Sequence, residues 1–204
     1  MKKILFLLTS ALLILVWPHL LPSKILEDPL ARREEKLKAM RRARDQFFRE
    51  DARSPLREED RRNFRGLSYY PIDLRYAVVG KIEEHSTLKS VYVTLPTNRE
   101  MGRKYVKYGS FRFKWEVKNY LLQVYRPLGG GELFLPFKDK TSGLETFSKG
   151  RYVPIEPMPD GQVLVDFNRA YNPFCQYNEK YTCPFAPQEN WLDMAVKAGE
   201  KRFP

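Results

Sequence analysis

Histidine and cysteine are almost missing from this 204-residue chain, which holds two of each. His19 lies inside an apolar run and His85 stands alone, so no cluster offers the four ligands a zinc ion takes. Catalysis by either thiol would need a base such as histidine, and the segment around the cysteines contains none. The chain also lacks a glycine-rich phosphate loop and any nucleophile set beside a base. No metal or cofactor is therefore expected. Although the net charge is +11, no long basic tail exists. Residues 1–26 carry +3, residues 27–65 carry 13 basic against 10 acidic groups, and residues 66–204 carry 20 against 15. Charge spread this evenly argues against a nucleic-acid partner. Internal repeats and low-complexity tracts are absent as well.

With 43% hydrophobic and 14% aromatic residues, the chain has enough apolar side chains for one sizeable core. Its first 26 residues form a separate segment. Lys2 and Lys3 precede an uncharged run, residues 4–23, long enough to span a bilayer, with no small-residue cleavage site after it. This predicts a signal anchor or signal peptide, membrane contact through residues 4–23, and an extracytoplasmic, membrane-anchored or periplasmic location. Arg32, Arg33, Lys36, Lys38, Arg41, Arg42 and Arg44 follow soon after, and such flanks favour the cytoplasmic side. The cysteine pair described below weighs toward export.

Residues 27–65 form a charged helical segment. Asp28-Pro29 caps a helix running to about Asp51, with Leu30, Leu37, Met40, Phe47 and Phe48 as its apolar stripe. The remainder of that rod is expected to face solvent. Ser54-Pro55 opens a second helical turn ending near Phe64, with Glu58, Glu59 and Asp60 where the helix dipole favours acids.

Residues 66–204 read as a β-rich globular domain. Strands are predicted at Asp73–Glu83, Leu88–Leu95, Lys104–Trp115, Val117–Tyr125, Leu133–Phe137 and Gln162–Phe167, the last two as neighbours. No helical pattern separates them. The fold class is thus mainly β (α+β by count): a small antiparallel β-barrel or sandwich behind N-terminal helices, with a long irregular C-terminal loop. From Lys89 to Lys118, basic residues alternate with Tyr105, Tyr108, Phe111, Phe113 and Trp115. Stacking platforms for single-stranded nucleic acid share that texture, but aromatics facing a core and cations facing water explain it more simply.

The C-terminal loop holds the densest set of polar groups. Prolines and asparagines from Asp166 to Trp191 exclude a long helix or strand. Cys175 and Cys183, eight residues apart, would form a disulfide in an oxidising compartment, or else stay as buried thiols. Upstream, Asp139, Thr141 and Glu145 sit around a turn, with Arg151 able to grip an anion bidentately. A hairpin turn with a structural Glu145–Arg151 pair accounts for the same residues. Asp139, Thr141, Glu145, Arg151, Asn168 and Asn172 are expected close together at one end of the β-structure. Tyr171 and Asn190 complete the candidate ligand-binding set.

Several motifs carry a family resemblance. They are Phe64-Arg65-Gly66-Leu67, Tyr70-Pro71, Leu133-Phe134-Leu135-Pro136-Phe137, Asp139-Lys140-Thr141-Ser142-Gly143-Leu144-Glu145-Thr146, Gly150-Arg151-Tyr152, Asp166-Phe167-Asn168-Arg169-Ala170-Tyr171-Asn172-Pro173 and Glu189-Asn190-Trp191-Leu192. Over roughly residues 40–201 the sequence resembles an uncharacterised, mostly bacterial family, domain of unknown function 1684. Phe147 and Phe174 stand where similar sequences more often carry Tyr. The resemblance implies a compact β-rich domain, often behind an export signal, and no activity.

Two functions remain open. One is an envelope-anchored binding module using the Asn168–Asn190 loop and the adjacent Asp139–Arg151 turn, with an anionic envelope component or small anion as partner. The other is a small hydrolase-like enzyme with Asp139, Glu145 and Asp166 as acid or base and Arg151 as anion clamp. A shared pocket for these groups would favour the enzyme.

Overall fold

The computed structural model describes residues 29–85 and 91–204; the expected anchor at residues 4–23 and Lys89 lie outside them. Among the described residues no helix is long and apolar enough to cross a membrane.

Helix α1 spans Pro29–Glu50 and the short α2 spans Glu58–Arg62, its three acids in the first turn. Nine strands follow: β1 Ala77–Glu84, β2 Val91–Leu95, β3 Arg103–Trp115, β4 Lys118–Pro127, β5 Pro136–Asp139, β6 Arg151–Tyr152, β7 Ile155–Pro157, β8 Val163–Asp166 and β9 Trp191–Leu192. Asp73–Tyr76, expected as strand, is a 3-10 turn instead. The Asp73 carboxylate accepts the Arg75 N–H and caps it.

The long strand β3 is the spine of the larger sheet. It pairs along its length with β4, and on its other edge with β2 and then β1. Strand β1 changes partner midway. Its second half meets β3, while Ala77–Gly80 pairs with β8, which in turn pairs with β7. Gly80 sits at this crossover because a Cβ there would lie 2.4 Å from the Arg112 carbonyl and 2.8 Å from the Phe111 ring. A second, three-stranded sheet runs β6-β5-β9, with β5 and β9 parallel.

The architecture is therefore mainly antiparallel and sandwich-like, and the sheet does not close into a barrel. Strands β5 and β8 belong to different sheets, contrary to the expected pairing. The parallel β5–β9 contact joins segments some fifty residues apart, a pairing that no local pattern announces.

Between the sheets lies a core that includes Phe111, Phe113, Leu122, Val124, Leu135, Phe137, Val165 and Phe167. Tyr105, Phe111 and Phe113 of the basic strand point inward, while Lys107 and Arg112 pair with Glu189 and Glu83 at the surface. Alternation thus explains that segment. The final residues belong to the core too. Val196, Ala198, Gly199 and Glu200 are all buried. Gly199 has φ +76°, and a Cβ would meet the Ala170 and Phe167 carbonyls at 2.6 and 2.7 Å, so only glycine lets the chain thread there.

Helix α1 docks on this C-terminal strap through charged side chains. Arg33, Leu37, Arg41, Arg44 and Phe48 recur at spacings of four, four, three and four, which is one helical face. Leu37 and Phe48 are buried. The three arginines on that face reach Asp166, the Tyr70 carbonyl and Glu200 respectively. The rod is not solvated all round; its cations are part of the contact.

Candidate functional site

The Asp139–Arg151 turn is built as a clamp. Arg151 and Asp139 are 1% and 0% exposed and pair at 2.9 Å, too deep to meet an incoming anion. The Arg151 guanidinium also donates to the carbonyls of Val196 at 2.9 Å, Ala198 at 2.5 Å and Glu200 at 3.1 Å. Asp139 accepts the Thr141 N–H at 2.6 Å, and the Thr141 and Thr146 hydroxyls share a hydrogen bond at 2.9 Å. Glu145 faces solvent, 3.8 Å from Lys197. The expected Glu145–Arg151 pair does not form.

The buried asparagines bind backbone. Asn168 exchanges two hydrogen bonds with the main chain of Asp73, at 3.0 and 2.8 Å. Asn172 donates to the Lys201 carbonyl at 2.8 Å. Asn190 joins Gln123 on β4 to Pro136 on β5 with three hydrogen bonds. Each amide satisfies polar groups that irregular chain would otherwise leave unpaired.

Asp139, Arg151 and Asn172 do converge, on the buried strap at Val196–Lys201. Asn190 lies elsewhere, at the junction of β4 and β5. Asp166 is occupied by Arg33 at 2.8 Å and by the Asn168 N–H at 3.0 Å. Among the described residues Asp139 and Asp166 are sealed in the interior while Glu145 faces solvent, so the three do not converge as the enzyme reading requires.

Cys175 and Cys183 are unbridged in this structure. They are neighbours nonetheless. The Cys175 N–H donates to the Cys183 sulfur at 3.2 Å. A hydrogen bond from the Cys175 thiol holds Cys183 down to about 7, and that same contact pushes Cys175 upward.

The feature that looks built for a ligand lies between α1 and the Asn168–Tyr171 segment. It is a cleft of about 230 Å³ lined by Leu37, Met40, Arg41, Arg44, Tyr69, Pro154, Asn168, Arg169, Ala170, Tyr171 and Glu200. Glu200, 1% exposed, accepts from Arg44, from the Tyr177 hydroxyl at 2.7 Å and from the Asn172 N–H at 2.8 Å. Arg169 pairs with Glu156 at 2.5 Å.

Arg41 has no carboxylate partner among the described residues. One of its terminal nitrogens donates to the Tyr70 carbonyl at 2.8 Å, and its guanidinium stacks 4.5 Å over the Tyr69 ring. Its Nε and Nη2, the Arg44 Nη2, the Arg169 Nε and the Tyr69 hydroxyl are buried without a hydrogen-bond partner among the described residues. Burial lowers the Arg41 pKa, and burial also raises that of Tyr69. An unsatisfied buried donor costs about 1–3 kcal/mol. Four of the five orphaned atoms are guanidinium nitrogens.

The family assignment follows from the whole domain. Residues 62–201 match the family described as a protein of unknown function (DUF1684). The chain belongs to the DUF1684 family. A neighbour in structure is the uncharacterized protein from gene locus rrnAC0354 of Haloarcula marismortui, solved by solution NMR. It is 36% identical, with a TM-score of 0.64 over 86% of this chain and 97% of the other. No curated protein matches. The matched region begins at residue 62, so α1 and its arginines Arg41 and Arg44 precede it.

Of the candidate residues, Asn168 and Tyr171 line the cleft, while Arg41, Arg44, Tyr69, Arg169 and Glu200 were not foreseen. The four-four-three spacing of arginines among Leu37 and Phe48 was the available signal.

The clamp predicts a stability effect without a binding effect. Arg151→Met should destabilise the fold by about 3–5 kcal/mol, because it leaves Asp139 and three strap carbonyls buried without a donor. Adding Asp139→Leu to that variant should recover part of the loss. Chemical denaturation of the two variants checks this, and a double variant no more stable than Arg151→Met would contradict it.

Proposed function

We propose that this protein is an anion-binding module whose site is the cleft between α1 and the Asn168–Tyr171 segment. The observation that carries the reading is the set of buried, unpartnered guanidinium donors on Arg41, Arg44 and Arg169. A carboxylate or phosphate oxygen satisfies such donors, and charge-assisted hydrogen bonds are the strong ones. Tyr69 adds a hydroxyl donor. Glu200 supports the site by orienting Arg44, and its charge is already shared among three donors. The binding reading also fits a site without a nucleophile or base. An anionic component of the cell envelope remains the natural partner if the chain is exported.

Export itself is part of the proposal. Residues 4–23 would anchor the chain in a membrane, with the domain outside the cytoplasm and Cys175 bridged to Cys183. A loop of that size contributes about 2.5 kcal/mol in the chain-entropy account.

Titration of the full chain with inorganic phosphate or acetate should give saturable heat in calorimetry. Arg41→Met should weaken the binding at least tenfold while leaving the melting temperature within a few degrees, since no ion pair is lost. Equal affinity in wild type and variant would remove the cleft as the site. Acid-quenched cells treated with a thiol-alkylating reagent should yield Cys175 and Cys183 unalkylated and joined in one peptide. In purified reduced protein given oxidised glutathione, the Cys183 thiolate attacks the glutathione disulfide and releases one glutathione. Cys175 then displaces the second. The first step should speed up as pH rises through about 7. Two alkylated thiols from intact cells would contradict both the bridge and the exported location.

A further inference from the structure

The anion-binding cleft does not end at its arginines. Pro154, Arg169 and Tyr171 also line a second groove, of about 580 Å³. That groove runs along β6, β7 and the segment before β5, and its walls include Leu133, Phe134, Leu135, Val153, Ile155 and Val163. Phe134 packs edge-on against Tyr152 at 4.6 Å, and Tyr152 against Tyr171 at 5.7 Å, so a continuous aromatic wall leads from the groove to the cleft. The cleft itself has an apolar side made of Leu37, Met40, Pro154 and Ala170.

Charge is distributed unequally along this path. At the cleft end stand Arg41, Arg44 and Arg169; Arg44 is paired with Glu200 and Arg169 with Glu156, so Arg41 carries the charge left unbalanced among the described residues. Among groove residues the other charged group is Glu132, which is exposed. A ligand lying along the path would meet cations at one end and apolar side chains beyond them. Burial raises the Tyr171 pKa, and Glu132 is near enough to raise it further.

We propose that the ligand is an amphipathic anion: an alkyl chain ending in a carboxylate, with the carboxylate between Arg41 and Arg44 and the chain laid past Tyr171 into the groove. This rests on the anion-binding reading of the cleft and adds the class of molecule. An inorganic anion would satisfy the arginines but leave the groove unfilled. A neutral alcohol would fill the groove and leave the guanidinium donors unpaired. A dicarboxylate or a phosphate diester with a polar body is disfavoured, because Glu132 and the apolar walls oppose a second charge. Nothing covalent is involved; the site binds and releases.

The test is a calorimetric series on the full chain with acetate, butanoate, hexanoate, octanoate and octanol, each repeated on Arg41→Met and Leu133→Glu. Burial of each methylene should raise affinity about three- to fourfold from butanoate to octanoate. Octanol should bind at least tenfold more weakly than octanoate. Uptake of alkyl chains by the apolar residues 4–23 would appear equally in Arg41→Met, so the difference between wild type and that variant isolates the site. Leu133→Glu should keep acetate affinity and lose the dependence on chain length. If Leu133→Glu does not fold, the chain-length series on wild type still decides the matter. Octanoate binding no tighter than acetate would overturn the amphipathic ligand and leave the anion site standing. Octanol matching octanoate would overturn it from the other side. No saturable binding of any carboxylate would overturn both this inference and the anion site beneath it.

Discussion

The buried guanidinium of Arg151 is the interaction on which the rest of this structure depends. It lies in a nearly dry interior, paired with Asp139 and donating to three carbonyls of the C-terminal strap. A buried cation is tolerable only when paired and hydrogen-bonded, so its surroundings are fixed in detail. The strap it holds ends in Glu200, whose carboxylate gathers Asn172, Tyr177 and Arg44. Arg44 belongs to α1, and so a single chain of charge-assisted contacts runs from the centre of the β-domain to the helix. The cleft between that helix and the Asn168–Tyr171 segment is lined by guanidinium groups together with Leu37 and Met40.

Much of the fold was legible in the sequence. Helix α1, the acid-rich α2 and strands β1 to β4 follow from periodicity and turn residues, because their pattern is local. What escaped is non-local. The two-residue strand β6, the parallel pair β5–β9 and the separation of β5 from β8 depend on contacts across long stretches of chain. The barrel-or-sandwich alternative resolved toward a sandwich because β1 splits its pairing at Gly80 between β3 and β8, leaving β2, β4 and β7 as edges.

The site was legible only in part, and for a physical reason. Polar residues in an irregular segment attract attention as ligand contacts, yet such a segment must first satisfy its own main chain. Asn168, Asn172 and Asn190 are used for that purpose, and Arg151 does the same for the strap. On α1 the arginines read in sequence as a solvated face, since Arg and Lys usually mark one. Placing Arg33, Arg41 and Arg44 on the stripe of Leu37 and Phe48 would have shown cations on a buried face, where they need partners. Arg33 and Arg44 have carboxylates; Arg41 has none among the described residues.

That missing partner is the centre of the functional account, and the arginine side chains can report on it directly. The measurement is a ¹⁵N–¹H correlation spectrum of the Nε–Hε groups in the full chain as octanoate is added. The Arg41 and Arg169 signals should shift together and saturate, while that of Arg151, sealed in the core, stays in place. An Arg41 signal unmoved at saturating octanoate, or shifted no further than those of exposed arginines such as Arg53, would contradict it.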